Sequence, residues 1–546
     1  MGTLGEVGKR LFYLSALSIS KIAALFSHSA NALHTARFAR LHEIAPLLHH
    51  NLEDLQAALF LGRASCNQIA CVRPSKKQRE LSNILICARP RAGKSVHAVS
   101  QLLTWGHSVV VNDVKGELYA ATAGYRATLG KVLVVDPQGK GHQYDPLQGK
   151  TTEDELYSAA KHLLYEANER EPVFTLRANK MLQAMFLASR TEGIPPFPYI
   201  RFLIQLGLAD TVAHLYSIDP RLATRFLETN PEAADLADKF LQSCWGTLTS
   251  RLQPLLNETV IRSLTRSDFT PADLMCGGKP ITIYLKLKEQ DLLALSPLLR
   301  LFWTSIIDEL TTTYDKQSGA GCKPVLLLID EGGITGIPNL HVSSSTLAGR
   351  GISLWFIIQS LSQLSATYGH DRAKIILGNM DTTLFYRPND LDTAKYLEER
   401  LGSFSAYAHS QTLHSGEETS EGRSERPRPL LSIQEITQLK DTDVLVWHRE
   451  YKPLKLKRMD WRAFPCLLQR RNISPPPLQP LPPITDIKQL KPQPLPPDTY
   501  PNEDDDLFPV TLDDPDNLPS DRHGLSTNRL DMVDPHDSSP TTVWQR

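Results

Sequence analysis

The chain has 546 residues, of which 41% are hydrophobic and 22% are charged, and its formal net charge is -1. This length and balance predict a globular protein with a large buried core and two or three structural units. The seven cysteines are scattered and form no CxxC pair, so the sequence indicates neither a disulfide framework nor a zinc site.

The net charge conceals an asymmetry along the chain. Residues 472–546 carry 5 basic and 13 acidic side chains, a net of -8, which leaves +7 for residues 1–471. A mildly basic body suits a protein that handles DNA, because contacts with phosphates supply most of the nonspecific affinity. The sequence shows no dense basic patch interleaved with aromatic residues, so charge alone does not identify a DNA site.

The first segment, residues 1–79, is predicted to be a helical lead-in without a transmembrane span. A spanning helix needs about 20 predominantly apolar residues. The best candidate, Leu11–Phe26, is shorter, contains three serines and is interrupted by Lys21. These features favour an amphipathic helix that lies on a surface or packs against a partner. Contact with a membrane is therefore expected to be peripheral.

A phosphate-binding loop is predicted between an apolar strand at Ile84–Cys87 and a following amphipathic helix. The loop residues are Ala88, Arg89, Pro90, Arg91, Ala92, Gly93, Lys94 and Ser95. In such a loop the backbone N–H groups surround the phosphates of a nucleotide, Lys94 reaches the outermost phosphates, and the Ser95 hydroxyl binds Mg2+. The usual first residue is Gly rather than Ala88, and an ordinary turn is the alternative interpretation.

An all-helical subdomain is predicted at residues 151–265, where it interrupts a sheet domain that begins with residues 80–150. Leu156, Ala160 and Leu163 fall on one helical face. Such apolar stripes are typical of a packed core, and no site residue is assigned to the subdomain.

The second part of the sheet domain, residues 266–471, carries the other half of the predicted site. The run PVLLLIDE at residues 324–331 is an apolar strand followed by two carboxylates, which is typical of a Walker B motif. Ligands of open parallel sheets bind beyond the carboxyl ends of the strands. We therefore expect Asp330 to hold Mg2+ together with Ser95, and Glu331 to be the base for the attacking water.

Two further side chains are candidates for catalysis. Gln359 ends the strand-like run SLWFIIQ, where it can sense the outermost phosphate. Arg350 lies between glycines in TLAGRGIS, which leaves its guanidinium free to reach the nucleotide of a neighbouring subunit as an arginine finger. A surface arginine in a tight turn is an equally weighted alternative for Arg350.

Two polar regions lie towards the C-terminus. Residues His409–Arg428 are rich in Ser, Glu and Arg and predict a mobile, solvated loop. Residues 472–546 begin with PPPLQPLPP and continue with acidic runs. Proline removes backbone donors, and the remainder has too little apolar surface to offset the entropy of ordering, so a disordered tail is predicted. It is either a solubilising tail or an acidic tether that docks a basic partner.

The order of these motifs resembles a known family, the conjugative coupling ATPases of type IV secretion, of the TraG/TraD type. The resemblance covers roughly residues 80–462 and includes the segments VVVNDVKGELYAATAGYR, LAGRGISLWFIIQSLSQL and ILGNMDTTLFYRPND. It implies an α/β fold, a RecA-like P-loop NTPase with a mostly parallel central sheet, an inserted all-helical subdomain and a disordered C-terminal tail.

The resemblance also implies a function. Members are homohexameric ATPases that use ATP and Mg2+ to pass DNA, single-stranded and linked to a relaxase, to the subunits of a type IV secretion channel. The expected location is cytoplasmic, with peripheral contact at the inner face of the cell membrane. Two other interpretations stay open, a ring DNA translocase of the same superfamily in segregation or repair, and a nucleotide-gated adaptor that is not a motor.

Overall fold

One large β-sheet positions every segment of the predicted site in the computed structural model. The structure describes residues 34–65, 68–74, 80–165, 172–413 and 419–484, with the backbone alone for residues 65, 408–413 and 419–423. The strands are β1 (Leu48–His49), β2 (Leu59–Ser65), β3 (Gln68–Val72), β4 (Ile84–Cys87), β5 (Ser108–Asp113), β6 (Lys131–Asp136), β7 (Lys140–Gly141), β8 (Ile281–Lys286), β9 (Val325–Ile329), β10 (Ile352–Ile358), β11 (Thr382–Phe385), β12 (Ser403–Leu413), β13 (Thr419–Pro429), β14 (Asp443–His448) and β15 (Leu454–Lys457).

The sheet has a parallel centre and antiparallel flanks. In the described part of the chain it contains 13 strands in the order β1-β3-β2-β15-β14-β11-β4-β10-β9-β5-β8-β6-β7. All pairings from β11 to β6 are parallel. The outer pairings on both sides are antiparallel. The central strands are continuous apolar runs because both faces of the sheet are buried.

The helices cover both faces of this sheet. They are α1 (Lys94–Leu102), α2 (Glu117–Leu129), α3 (Glu153–Leu164), α4 (Pro172–Glu192), α5 (Pro196–Leu206), α6 (Leu208–Ile218), α7 (Pro220–Leu227), α8 (Lys239–Leu252), α9 (Glu258–Ser263), α10 (Ala272–Cys276), α11 (Ser296–Lys316), α12 (Gly332–Thr335), α13 (Leu340–Thr346), α14 (Leu361–Tyr368), α15 (His370–Gly378), α16 (Leu391–Leu401), α17 (Ile433–Thr437) and α18 (Pro465–Arg471). Among the described residues, no helix is both long enough and apolar enough to cross a bilayer.

Alternate residues of each strand enter two different cores. Ile84 and Ile86 of β4 pack with Ala98 and Leu102 of α1 on one face. Leu85 packs on the opposite face, in the same core as the helices between β7 and β8. This alternation follows from the two-residue period of a strand.

The helices α3 to α9 form a unit on one face of the sheet. Thr152 begins α3 with a capping box, in which its hydroxyl accepts from the Glu155 N–H while the Glu155 carboxylate accepts from the Thr152 N–H. On α11, Arg300 Nη2 donates to the carbonyl of Tyr165 at 3.0 Å and ties the unit to the rest of the fold. The bounds of these helices fall within the predicted subdomain, residues 151–265.

The described part of the N-terminal segment differs from the helical prediction for residues 1–79. It forms strands β1, β2 and β3, and β2 joins the large sheet beside β15. The buried Gln101 on α1 holds β2 in place, since its Oε1 accepts from Phe60 N and its Nε2 donates to the Ala58 carbonyl, both at 2.9 Å. A short apolar run does not by itself indicate which strand it pairs with, so these strands could not be predicted from local sequence. Leu11–Phe26 lies outside the described residues.

The region predicted as a mobile loop, His409–Arg428, is largely a β-hairpin, and that prediction is wrong. Strands β12 and β13 pair in register from Ser403 with Pro429 to Leu413 with Thr419. The hairpin is a two-stranded sheet of its own. The sequence of this region has no regular alternation of apolar and polar residues, so the usual sequence signal for a strand with one buried face is missing.

The C-terminal strap, residues 472–484, differs from the prediction that disorder starts at residue 472. Tyr119 on α2 donates its hydroxyl hydrogen to the carbonyl of Pro476. The Gly141 N–H donates to the Gln479 carbonyl at 2.7 Å. Gly124 makes room for the strap, because a Cβ there would overlap the Ile473 carbonyl. Prolines lack donors but keep acceptors, so an extended proline-rich segment can still dock. Residues 485–546 lie outside the described residues.

Candidate nucleotide-binding site

The sheet topology brings three predicted segments to one edge. Strand β10 lies between β4 and β9, and it pairs in parallel with both. The carboxyl ends of parallel strands meet at the same edge of the sheet, so the loop after β4, Gln359 after β10 and Asp330 after β9 converge there.

The loop at residues 88–95 accommodates Ala88 at the position where the usual pattern has glycine. The Ala88 N–H donates to the Ile358 carbonyl at 2.9 Å, and its side chain is buried. The left-handed positions are Arg91, with φ 64°, and Gly93, with φ 96°. Ala88 is outside this region, so its Cβ brings no backbone strain and glycine is not required there.

Two features of the structure favour glycine at position 93. Its backbone is left-handed, and a Cβ would overlap the guanidinium of Arg458. Arg458 follows β15, and its Nη1 donates to the Ala92 carbonyl at 3.1 Å. An arginine from a distant segment thus braces the loop just before Lys94.

Lys94 lies between the two carboxylates of the predicted Walker B motif. Its Nζ is 3.2 Å from Asp330 Oδ1 and donates to Glu331 Oε1. Burial lowers the pKa of Lys94, but Asp330 and Glu331 outweigh burial, so that the pKa is raised and the amine stays charged. Burial raises the pKa of Asp330 in spite of the neighbouring Lys94.

Glu331 is held on two sides in an unusual backbone conformation. Its φ is 56°, which is left-handed for a residue with a side chain. Glu331 Oε2 accepts from Gln359 Nε2 at 2.8 Å. The Gln359 N–H in turn donates to Gln363 Oε1 at 3.0 Å. Strain of this kind persists where surrounding contacts over-determine it, which is common at functional sites.

The donor set fits Mg2+. Ser95 follows Lys94 in the first turn of α1. Together with the Asp330 carboxylate it offers hard oxygen ligands, and Mg2+ in nucleotide sites takes one or two such ligands plus phosphates. Asn112 Nδ2 donates to the Asp330 carbonyl at 2.8 Å, while its buried Oδ1 has no described partner. No group of three or more His, Cys, Asp or Glu side chains that could hold a metal ion occurs in the described ranges, so phosphates would have to supply the remaining ligands.

Arg350 does not join this site within the chain. It precedes β10, whereas Gln359 follows it, so the two residues lie at opposite edges of the sheet. Its Nε and Nη2 each donate to Asp315 at 2.9 Å in a bidentate pair. Any contact of Arg350 with a nucleotide therefore requires a second copy of the chain.

Four polar residues that lie outside the sequence motifs are placed by the tertiary structure beside the loop or the Walker B motif. They are Asn112 on β5, Arg387 after β11, Asp441 before β14 and Arg458 after β15. Polar residues at strand ends are a usable signal, but the reversed direction of β14 between β11 and β15 had to be known first. Asp113, also buried, caps α2 by accepting from Tyr119 N at 2.7 Å, and burial raises its pKa to about 6.

Comparisons with known proteins agree with this geometry. The sequence model of the family described as "Type IV secretory system Conjugative DNA transfer" matches residues 51–470. Protein VirD4 of Rhizobium radiobacter is 28% identical over 427 residues, which cover 74% of this chain and 60% of VirD4. Conjugal transfer protein TraG of Escherichia coli is 28% identical over 401 residues, 65% of this chain and 61% of TraG. The chain thus spans about 60% of the length of these curated relatives.

Solved structures share the fold. The plasmid coupling protein TrwB in complex with ADP and Mg2+ superposes with a TM-score of 0.56 at 14% identity, covering 78% of this chain and 93% of TrwB. A second TrwB structure, in complex with sulphate, gives a TM-score of 0.58 at 14% identity, covering 78% of this chain and 93% of TrwB. The predicted RecA-like α/β fold with a mostly parallel central sheet is confirmed.

Proposed function

The chain belongs to the family of type IV secretory system conjugative DNA transfer proteins, and from this premise we propose that it is an ATP-hydrolysing coupling protein. It recruits DNA and moves it towards a type IV secretion channel. The observation that carries the proposal is the convergence of Lys94, Asp330, Glu331 and Gln359 at one sheet edge, with contacts between them. TrwB, which has this fold, has been solved in complex with ADP and Mg2+ and with ADPNP.

The reaction is phosphoryl transfer from ATP to water. The loop N–H groups and Lys94 bind the phosphates and stabilise the charge that develops on them. Glu331 accepts a proton from the attacking water, and Gln359 orients Glu331 through the hydrogen bond to Oε2. Ser95 and Asp330 are the residues that would hold Mg2+, and the ion would supply charge neutralisation at the phosphates.

Exchange of partners at Lys94 couples binding to catalysis. In the structure, Lys94 contacts Glu331 and neutralises part of its charge. A phosphate is a stronger competitor for the amine because it carries more negative charge. Glu331 then keeps Gln359 as its partner and gains a free oxygen for the water. The base thus becomes available when ATP is in place.

The active assembly is a homohexamer in which Arg350 acts between subunits. About a quarter of the Arg350 side chain and about half of the side chain of its partner Asp315 are exposed, which supports a position at the surface of the chain. An arginine supplied by a neighbour stabilises transition-state charge on the phosphates. The DNA is single-stranded and linked to a relaxase, the other partners are channel subunits, and the location is cytoplasmic with peripheral contact at the membrane.

One experiment tests the function directly. ATP turnover is measured with and without single-stranded DNA, alongside the mass of the assembled particle. We expect turnover that rises on addition of DNA in a hexamer, and no nucleotide binding by Lys94→Ala. Lys395→Ala, which changes an exposed lysine on α16, is the matched control and should behave as wild type. Nucleotide binding without turnover, with or without DNA, would leave an adaptor rather than a motor.

A further inference from the structure

A cluster of charges lies beside the phosphate-binding loop, on the side away from the Walker B motif. Asp441 is at its centre, with Arg89 Nη2 at 2.8 Å and Arg387 Nε at 3.5 Å from its Oδ1. Arg458 Nη1 donates to the Asp441 carbonyl at 3.4 Å. The guanidinium groups outnumber the carboxylate, so the cluster is positively charged as a whole and suits a ligand that carries phosphates.

The order of the strands places this cluster where the nucleoside end of a bound nucleotide would lie. The terminal phosphate must lie near Glu331 and Gln359, which are on the β10 and β9 side of the loop. A triphosphate is an extended chain, so its nucleoside leaves the loop on the other side, towards β11. The Tyr386 N–H donates to the Cys87 carbonyl at 3.0 Å, which sets the end of β11 directly beside the loop. Arg387 and Asp441 follow at that edge.

Asp441 has an oxygen available for a ligand. Its side chain is 48% exposed. Both arginine contacts use Oδ1, and Oδ2 accepts no hydrogen bond from a described residue. The hydrogen bond from Arg89 has the largest effect and lowers the pKa of Asp441 below its usual range. The positive charges of Arg387, Arg89 and Arg458 lower it further. The carboxylate therefore stays ionised, and an ionised carboxylate is a strong acceptor for a ribose hydroxyl, as in dinucleotide-binding folds.

We propose that Asp441 is the ribose-binding residue of the site, held in place by Arg89 and Arg387. The free oxygen accepts a hydrogen bond from a ribose hydroxyl, so the site prefers ribonucleotides to nucleotides without these hydroxyls. This inference rests on the proposed function, because it requires that the loop binds a nucleotide.

Calorimetric titration of the full chain with ADP, 2′,3′-dideoxy-ADP and tripolyphosphate, each with Mg2+, tests it. A hydrogen bond to a charged group is worth enough to make the dideoxy nucleotide bind about ten-fold more weakly to the wild type. Asp441→Ala should bind both nucleotides equally and keep wild-type affinity for tripolyphosphate. Asp210→Ala, which removes an exposed carboxylate on α6, is the matched control and should retain the ten-fold preference.

The outcomes separate the two proposals. Equal affinity of the wild type for ADP and its dideoxy form overturns the ribose assignment and leaves the ATPase proposal standing. If Asp441→Ala loses affinity for tripolyphosphate as much as it loses affinity for ADP, Asp441 only supports the loop. That result also overturns the ribose assignment. A wild type that binds tripolyphosphate and neither nucleotide removes both proposals. The wild-type comparison does not depend on whether a variant folds.

Discussion

Gln359 Nε2 donates a 2.8 Å hydrogen bond to Glu331 Oε2, so the ends of two neighbouring parallel strands contact each other directly. The other oxygen of Glu331 contacts Lys94. Residues from three distant segments of the sequence thus form one connected group. A change at one of them should alter the others, because they share protons and charge.

Glu331→Gln should bind ATP with near-normal affinity and hydrolyse it about a hundred-fold more slowly. The amide keeps the shape of the side chain but cannot accept a proton from water. Phosphate release, measured together with ATP affinity, gives both quantities. Glu289→Gln changes a mostly exposed carboxylate and is the control, expected to behave as wild type. Normal turnover in Glu331→Gln would reject its role as the base.

A mixture of Arg350→Ala and Lys94→Ala subunits should regain part of the ATPase activity that each variant lacks alone. Hybrid interfaces can pair an intact Lys94 with an intact Arg350 from the adjacent copy. Activity is measured as a function of mixing ratio in particles of verified mass. In the control mixture, Arg372→Ala takes the place of Arg350→Ala. Arg372 is at an exposed position on α15, so this variant should be active by itself. Absence of any regain in a stable oligomer would count against the finger.

Gly93→Ala should lower the melting temperature, while Arg91→Gly should not. Both residues have positive φ, 96° and 64°. An L side chain in the left-handed region costs about 1 kcal/mol, and at Gly93 a Cβ also overlaps Arg458. Arg91 already bears that cost, so glycine relieves it. Thermal melts of the two variants and the wild type provide the comparison. A destabilised Arg91→Gly would show that the Arg91 side chain makes a stabilising contact.

Acid should destabilise the fold through His97, which is buried on α1. Its Nδ1 pairs with the Tyr386 hydroxyl at 2.7 Å and its Nε2 with the Phe60 carbonyl at 3.1 Å. Burial lowers the pKa of His97 from 6.5 to about 4. The folded state thus favours the neutral ring, and this contribution is complete above pH 6.5 and is lost as pH falls towards 4.

The size of this effect is on the order of 3 kcal/mol at most. Melting temperatures of wild type and His97→Gln are compared at intervals between pH 7 and pH 4. The variant has no titrating ring at this position, so its melting temperature should fall less steeply over that window. Parallel curves for the two proteins would contradict a neutral buried His97.

Two truncations distinguish the C-terminal strap from residues 485–546. Removal of residues 485–546 should leave the melting temperature unchanged, because this acidic, proline-rich segment has too little apolar surface to add to the core. Removal of residues 472–546 should lower it, because Tyr119 loses its acceptor and β7 loses its partner at Gln479. Equal melting temperatures for the two truncations would show that the strap adds no stability.

Local sequence was sufficient for the centre of the fold. Strands β4 and β9 begin and end where their apolar runs predicted, at Ile84–Cys87 and Val325–Ile329. Strands buried on both faces need uninterrupted apolar residues, and this requirement can be read without knowing the partners. The positions of the phosphate loop, the two carboxylates and Gln359 could be predicted for the same reason, because each stands at the end of such a strand.

The tertiary structure alone decided the features that depend on pairing between distant segments. Strands β2 and β3, the β12–β13 hairpin and the strap are stabilised by backbone partners that no local pattern specifies. The neighbours of Asp441 come together only because β14 runs antiparallel to β11 and β15 runs antiparallel to β14, which brings the start of β14 and the end of β15 to the edge where β11 ends. A sequence therefore determines which chain segments can form a buried strand, whereas the order and direction of those strands determine which side chains meet.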